Sequence, residues 1–252
     1  MTPDDASAST ETAVRAHAAD AGGPHTLAID IGGSHIKATV LDREAGLSAE
    51  LVRVVTPVGE PPETIVAAIA DLVAPLPAYD RICAGFPGVV RQGVVLTAPN
   101  LDHDGWQRFD LAAALRARLG KPTRVLNDAD LQGLGAVHGQ GLEMIVTLGT
   151  GFGTGLFLDG RALPHLEIAH HEFKKGKTYD ERLGNAARKR VGHKKWRKRV
   201  KQAIANMRAL TAFDHLYVGG GNAKRLDFEP DPDVTILEND AAFQGAVRAW
   251  RD

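Results

Sequence analysis

A repeated strand, glycine turn and strand constrains this chain more than any other feature. Residues 30–42 lie over 147–159 without a gap, so Gly32 falls on Gly149 and Asp42 on Asp159. Each segment runs from an apolar strand through a turn of small residues into a second apolar strand that ends in aspartate. Two such units in 252 residues predict a duplicated α/β module. The predicted halves are 26–128 and 129–252, after a tail, 1–25, with too few large apolar residues to fold. The last helix is positioned to pack back on the first half.

The local pattern fills in these halves. Strands are predicted over 26–31, 36–42, 51–56, 81–86 and 124–126, with helices over 62–73, behind an early proline, and 109–119, stopped by Gly120. In the second half, strands are predicted over 143–148, 155–158, 215–218 and 234–237. A basic helical stretch covers 174–201 and a final helix covers 239–250.

Composition narrows the function classes. Apolar residues at 44% and charged residues at 24% fit a globular protein. The longest uncharged apolar stretch, 144–158, carries four glycines and is shorter than the roughly 20 residues of a membrane span. The first residues lack the apolar core of a secretory signal. One cysteine, Cys83, allows no internal disulfide and no multi-cysteine zinc site, so a reducing, cytoplasmic setting is expected.

Glycine turns between strands bring backbone N–H groups close to a ligand, and hydroxyls add donors. Gly32-Gly33-Ser34, the run from Gly149 through Thr150 and Gly151 to Gly155, and Gly219-Gly220-Gly221 are therefore candidate phosphate cradles. None has a Walker ending, and any one alone is equally a hairpin connection. Asp30, just before the first turn, either caps that turn or holds a metal-bound water. Asp128, directly after a strand, is either a helix cap or a proton acceptor for a sugar hydroxyl.

Taken together, Leu27-Ala-Ile-Asp-Ile-Gly-Gly-Ser with Ile36-Lys37, Gly85-Phe-Pro-Gly-Val, Thr97-Ala-Pro-Asn-Leu-Asp, Leu126-Asn-Asp-Ala-Asp, Thr147-Leu-Gly-Thr-Gly-Phe-Gly-Thr-Gly and Val218-Gly-Gly-Gly-Asn resemble the motifs of the ROK sugar kinases. The resemblance runs from about Thr26 to the C-terminus. It implies a two-domain actin-like, hexokinase-like ATPase fold built from duplicated modules. It also implies phosphoryl transfer to a hexose, magnesium with the donor by way of Asp30, and a homodimer. The segment His171-Glu-Phe-Lys-Lys-Gly-Lys-Thr-Tyr is most similar to members that phosphorylate O6 of glucose from inorganic polyphosphate, and also from ATP. The resemblance assigns Asp128 as base, and Asn100 and the pair Glu167 and His170 as ligands of sugar hydroxyls. Asn127 and a second acidic residue, placed at Glu181 with Asp180 as the other register, complete the sugar set. The donor set is Asp30, Gly32, Gly33, Ser34, Lys37, Thr150, Gly151 and Gly219 to Gly221. The sequence departs from the common pattern twice: residues 173–183 lack the cysteines of a zinc segment seen in many relatives, and His35 stands where glycine is usual.

The net charge of −1 hides a local imbalance. Residues 174–201 carry 13 lysines and arginines, including Lys174, Lys175, Lys177, Arg188, Lys189, Lys194, Lys195, Arg197 and Lys198, against two acidic residues. Such a field suits a polyanion. Only Tyr179 and Trp196 are available for base stacking, which favours a polyphosphate track over nucleic acid. The rival readings are an ATP-only hexokinase or glucomannokinase and a non-catalytic, sugar-responsive regulator that docks on nucleic acid.

Overall fold

A computed structural model describes residues 23–237 and 242–251. Most of the expected tail and the start of the expected last helix lie outside the described residues.

The chain order is β1 (Thr26–Ile31), β2 (His35–Leu41), β3 (Val52–Val55), α1 (Pro62–Val73), β4 (Arg81–Phe86), a small hairpin of β5 (Val90–Arg91) and β6 (Val94–Val95), α2 (Leu111–Leu119), β7 (Thr123–Asn127) and α3 (Asp128–Ala136). There follow β8 (Leu142–Leu148), β9 (Phe152–Leu158), β10 (Arg161–Ala162), β11 (Glu172–Lys174), β12 (Lys177–Thr178), α4 (Tyr179–Leu183), α5 (Asn185–Val191), α6 (His193–Thr211), β13 (His215–Gly219), β14 (Val234–Ile236) and α7 (Ala242–Arg248).

Two five-stranded sheets share one topology, β3-β2-β1-β4-β7 and β10-β9-β8-β13-β14. In each, three strands meander antiparallel and two more add in parallel. This is the mixed α/β architecture of duplicated modules. The pairing registers correct the ungapped overlay. Ile31 faces Ile36 across residues 32–35, whereas Leu148 faces Phe152 across residues 149–151, so the second turn is one residue tighter.

Alternation along the strands sorts the two faces. Leu27, Ile29 and Ile31 join a core with Ile65 and Ile69 of α1 and Leu115 of α2, while Ala28 and Cys83 face α7. Met144, Val146 and Leu148 pack on Trp196, Val200 and Ile204 of α6, while Ile145 faces Phe157 and Tyr217. Helices α3 and α7 lie against each other between the sheets. Their contact is close enough that a Cβ on Gly245 would stand 1.8 Å from the Leu131 carbonyl oxygen. Trp250, just beyond α7, is stacked by the guanidinium groups of Arg124 and Arg81 at 4.6 and 5.4 Å. These contacts hold the end of the chain on the first sheet.

Several local expectations change. Helix α2 begins at Leu111 because the Asp110 side chain accepts the Ala113 N–H at 2.8 Å. The glycine run from 149 to 155 is not one loop, since Gly153 and Gly155 lie within β9. Residues 174–178 are not helical either: β11 and β12 form a hairpin that turns at Lys175 and Gly176, both in the left-handed region. The helical basic stretch begins only at Tyr179.

Candidate active site

The site forms where the ends of β1, β7 and β8 meet the glycine turns. In the first turn, the Thr56 hydroxyl donates to the Gly32 carbonyl at 2.6 Å and the Thr56 N–H donates to the Ser34 carbonyl at 3.0 Å. That fixes the turn's shape. Asp30 and Lys37 face each other across the hairpin, with Nζ 3.2 Å from Oδ2.

At the end of β7, Asn127 caps α3. Its Oδ1 accepts the N–H groups of Ala129 and Asp130 at 2.8 and 3.1 Å, and its Nδ2 donates to the Gly88 carbonyl at 3.1 Å. Asn127 therefore does the capping. Asp128, the first helical residue, accepts the Ala129 N–H through Oδ1 at 2.8 Å.

Two cavities adjoin at this point. One, of about 180 Å³, is lined by Asn100, Asn127, Asp128, His165, Glu167, His170 and Asp180 together with Gly32, Gly33 and the 149–151 turn. The other, of about 410 Å³, is lined by Asp30, Lys37, Asp128, Gln132, Thr147, Thr150, Gly220, Gly221 and Lys224. Gly32, Asp128, Thr147, Gly149 and Thr150 belong to both. The first has the carboxylates and amides that ring hydroxyls need, and the second has the backbone turns and cations that suit phosphates.

Electrostatics single out Asp128. By surface area it is open, because the cleft reaches it, yet protein surrounds it on nearly every side. That surrounding protein governs the cost of its charge. Burial, then the Asp30 carboxylate, push its pKa up to about 7, against the pull of the Ala129 N–H. Behind it, His165 places Nδ1 3.0 Å from Asp130 Oδ2 and Nε2 3.6 Å from Glu167 Oε2. Burial would lower the imidazole, but the two carboxylates outweigh it and carry it up to about 9. The adjacent imidazole in turn holds Glu167 below the usual carboxylate range.

The sequence-predicted residues sort into three groups. Asn100, Asn127, Asp128, Glu167 and His170 come together in the smaller cavity, and Asp30, Gly32, Lys37, Thr150, Gly220 and Gly221 in the larger, while Gly33 and Gly151 line the smaller one. Glu181 is a correction. Its carboxylate faces solvent, bonded to Lys177 at 2.6 Å and to the Thr178 N–H at 2.9 Å in a capping box. Asp180 takes its position instead. Asp180 Oδ1 accepts the Phe152 N–H at 2.6 Å and packs so near Gly151 that a Cβ there would stand 2.6 Å away. Ser34 and Gly219 line neither cavity; Gly219 packs on the Gln132 side chain.

None of the nine track residues lines either cavity. Lys174, Lys175, Lys177, Lys189, Lys194, Lys195 and Lys198 are exposed. Arg188 is buried and bonded to Asn185, so it is corrected from track to structural role, while Arg197 is partly exposed and paired with Asp227. Helix α5 begins beside the site, because the Asn185 N–H at its head donates to the Gly149 and Thr150 carbonyls at 3.1 Å.

His165, Gln132 and Lys224 lie outside the sequence motifs, and Asp130 and Thr147 lie within them without an assigned role. His165 had one signal: it is two residues before Glu167 in an extended segment, so both side chains can share a face. Lys224, three residues beyond the Gly-Gly-Gly run, had none.

Residues 26–167 match the ROK family. The chain is 30% identical over 225 residues to a polyphosphate glucokinase of Mycobacterium tuberculosis, a match covering 85% of this chain and 83% of that protein. It is 30% identical over 221 residues to the polyphosphate glucokinase of Mycobacterium leprae, covering 84% of this chain; it spans 66% of that relative's length. The inorganic polyphosphate/ATP-glucomannokinase from Arthrobacter sp. strain KM superposes with a TM-score of 0.80 at 31% identity, covering 91% of this chain and 100% of that one. A ROK family glucokinase from Streptomyces griseus, at 22% identity and a TM-score of 0.74 over 89% of this chain and 98% of that one, shares the fold. With a sugar-kinase fold, matching motifs and relatives that span most of its length, this chain belongs to the ROK family.

Proposed function

We propose that this protein transfers the terminal phosphoryl group of inorganic polyphosphate, and also of ATP, to O6 of glucose. The observation that carries the reading is Asp128 standing on the shared wall of a hydroxyl-matching cavity and a phosphate-matching one. The relatives support sugar phosphorylation.

In this reading glucose occupies the smaller cavity among Asn100, Asn127, Glu167, His170 and Asp180. The Asp128 carboxylate takes the O6 proton, O6 bonds to the terminal phosphorus, and the bridging P–O bond breaks to leave a donor shorter by one phosphate. Little covalent help is needed beyond alignment and charge neutralisation. Gly32, Gly149 and Gly220 to Gly221 offer backbone groups to the donor, with Lys37 and Lys224 as cations.

Magnesium fits the donor set. It takes one or two carboxylates and fills its remaining positions with water and phosphate oxygens. Asp30, a carboxylate lining the donor cavity, would hold it, and the described residues form no cluster of three or more acidic, histidine or cysteine ligands that a dedicated cage would need. When bound, the ion supplies charge neutralisation on the donor phosphates.

Two observations favour polyphosphate as the principal donor. The described lining of the donor cavity holds no aromatic side chain on which a nucleotide base would stack. Helix α5 starts beside its glycine turn and leads on to the exposed lysines of α5 and α6. A homodimer is part of the same proposal. A coupled glucose 6-phosphate assay offered polyphosphate or ATP separately tests the reading; no turnover with polyphosphate ends the donor claim, and no turnover with either ends the whole.

A further inference from the structure

We infer that His165 is a positioning residue, a bracket that ties the sugar-binding carboxylate of Glu167 to Asp130 on the helix that carries Asp128. This inference rests on the proposed binding of a hexose in the smaller cavity.

The geometry has three parts. The His165 side chain is 5% exposed, so its ring is fixed by packing rather than by chance contact. Each ring nitrogen meets a different carboxylate, Nδ1 with Asp130 Oδ2 at 3.0 Å and Nε2 with Glu167 Oε2 at 3.6 Å. The two carboxylates sit on separate elements: Asp130 in the first turn of α3, and Glu167 at the head of the short turn of residues 168–170.

Each end of the bracket has few substitutes. Asp130 Oδ1 is buried and has no hydrogen-bond partner among the described residues, so Oδ2 and the imidazole hold that carboxylate in the interior. Glu167 lies in an irregular segment after β10, where besides His165 its carboxylate meets the Ala169 N–H and the nearby His170. An imidazole facing two carboxylates is held doubly protonated, hydrogen-bonded to Asp130 at 3.0 Å and paired by charge with Glu167 at 3.6 Å. The result is a rigid line from the helix that presents the base to the group that grips the sugar. A buried histidine that merely filled space would need only one of these partners.

The test separates the two arms by shape. Asn at position 165 reaches where Nδ1 stands and can keep the Asp130 contact, whereas Gln reaches where Nε2 stands and can keep the Glu167 contact. Steady-state kinetics are measured with glucose varied and donor saturating, on protein whose folding is checked by circular dichroism. For His165→Asn the glucose KM is expected to rise about tenfold, the size of one lost buried charged contact, with kcat changing less than about threefold. His165→Gln, which keeps the Glu167 contact but severs the tie to Asp130, should also raise the glucose KM, by about threefold or more, and a wild-type KM in this variant overturns the bracket. The double variant His165→Asn with Glu167→Gln should be no worse than Glu167→Gln alone. Wild-type KM in His165→Asn, or losses that multiply in the double variant, overturns the inference. If wild type itself neither binds nor phosphorylates a hexose, the proposed function has failed instead. If one of the two single variants does not fold, the other, which keeps the opposite contact, still decides the matter.

Discussion

Asp180 Oδ1 accepts the backbone N–H of Phe152 at 2.6 Å and so pins the head of α4 to the start of β9. This bond carries an acidic side chain into the smaller cavity while the neighbouring Glu181 is turned out to Lys177. Asp180→Ala should therefore raise the glucose KM by about tenfold or more, since a carboxylate hydrogen bond to substrate is lost. Glu181→Ala should leave KM within about twofold, because an exposed ion pair contributes little. Parallel kinetics on the two variants decide the register.

Asp128→Asn keeps the size and the Ala129 contact of the native side chain but cannot take a proton. We expect kcat to fall by about 10²- to 10⁴-fold, with glucose binding still measurable by calorimetry. Retained turnover would remove Asp128 as the base.

The raised pKa of Asp128 sets two pH dependences with opposite signs. Activity needs the carboxylate ionised, so kcat/KM should climb as pH rises through about 7. Stability moves the other way. Between an ordinary aspartate value of about 4 and about 7, the folded state holds a proton that the unfolded chain releases. This residue's contribution therefore falls as pH rises through that window. Asp128→Asn should gain Tm relative to wild type at pH 8 and lose the gain near pH 4.5, which scanning calorimetry at both values would show.

Lys224 is the cation of the donor cavity that lies outside every predicted set. Lys224→Ala should raise the KM of both polyphosphate and ATP several-fold and leave the glucose KM unchanged. Replacing Lys194, Lys195 and Lys198 together by Ala should weaken long polyphosphate only, and reduce the salt dependence of its binding. Equal effects on both donors would remove the track.

Gly245→Ala tests the packing of α3 on α7. Its Cβ would meet the Leu131 carbonyl, so the two helices must move apart, at a cost of about 1–3 kcal/mol by overpacking. Urea unfolding of the variant measures it.

The sequence by itself determined the elements and their doubling. Strands 81–86 and helix 62–73 are set by apolar spacing and a leading proline, which act within a few residues. The motifs around Asp30, Asn100, Asp128 and Glu167 were legible for the same reason, since each is a run of neighbours. What joins distant runs was decided only by tertiary structure. The second turn is one residue tighter than its copy because strand pairing, not residue matching, fixes register. Asp180 rather than Glu181 enters the cavity because the Phe152 N–H, 28 positions away, selects it. His165 gains two carboxylates, one of them 35 positions earlier, only when α3 and the 163–170 segment meet. Spacing along a chain reports which side chains share a face; the packing of one face on another sets which of them reach a substrate or a proton.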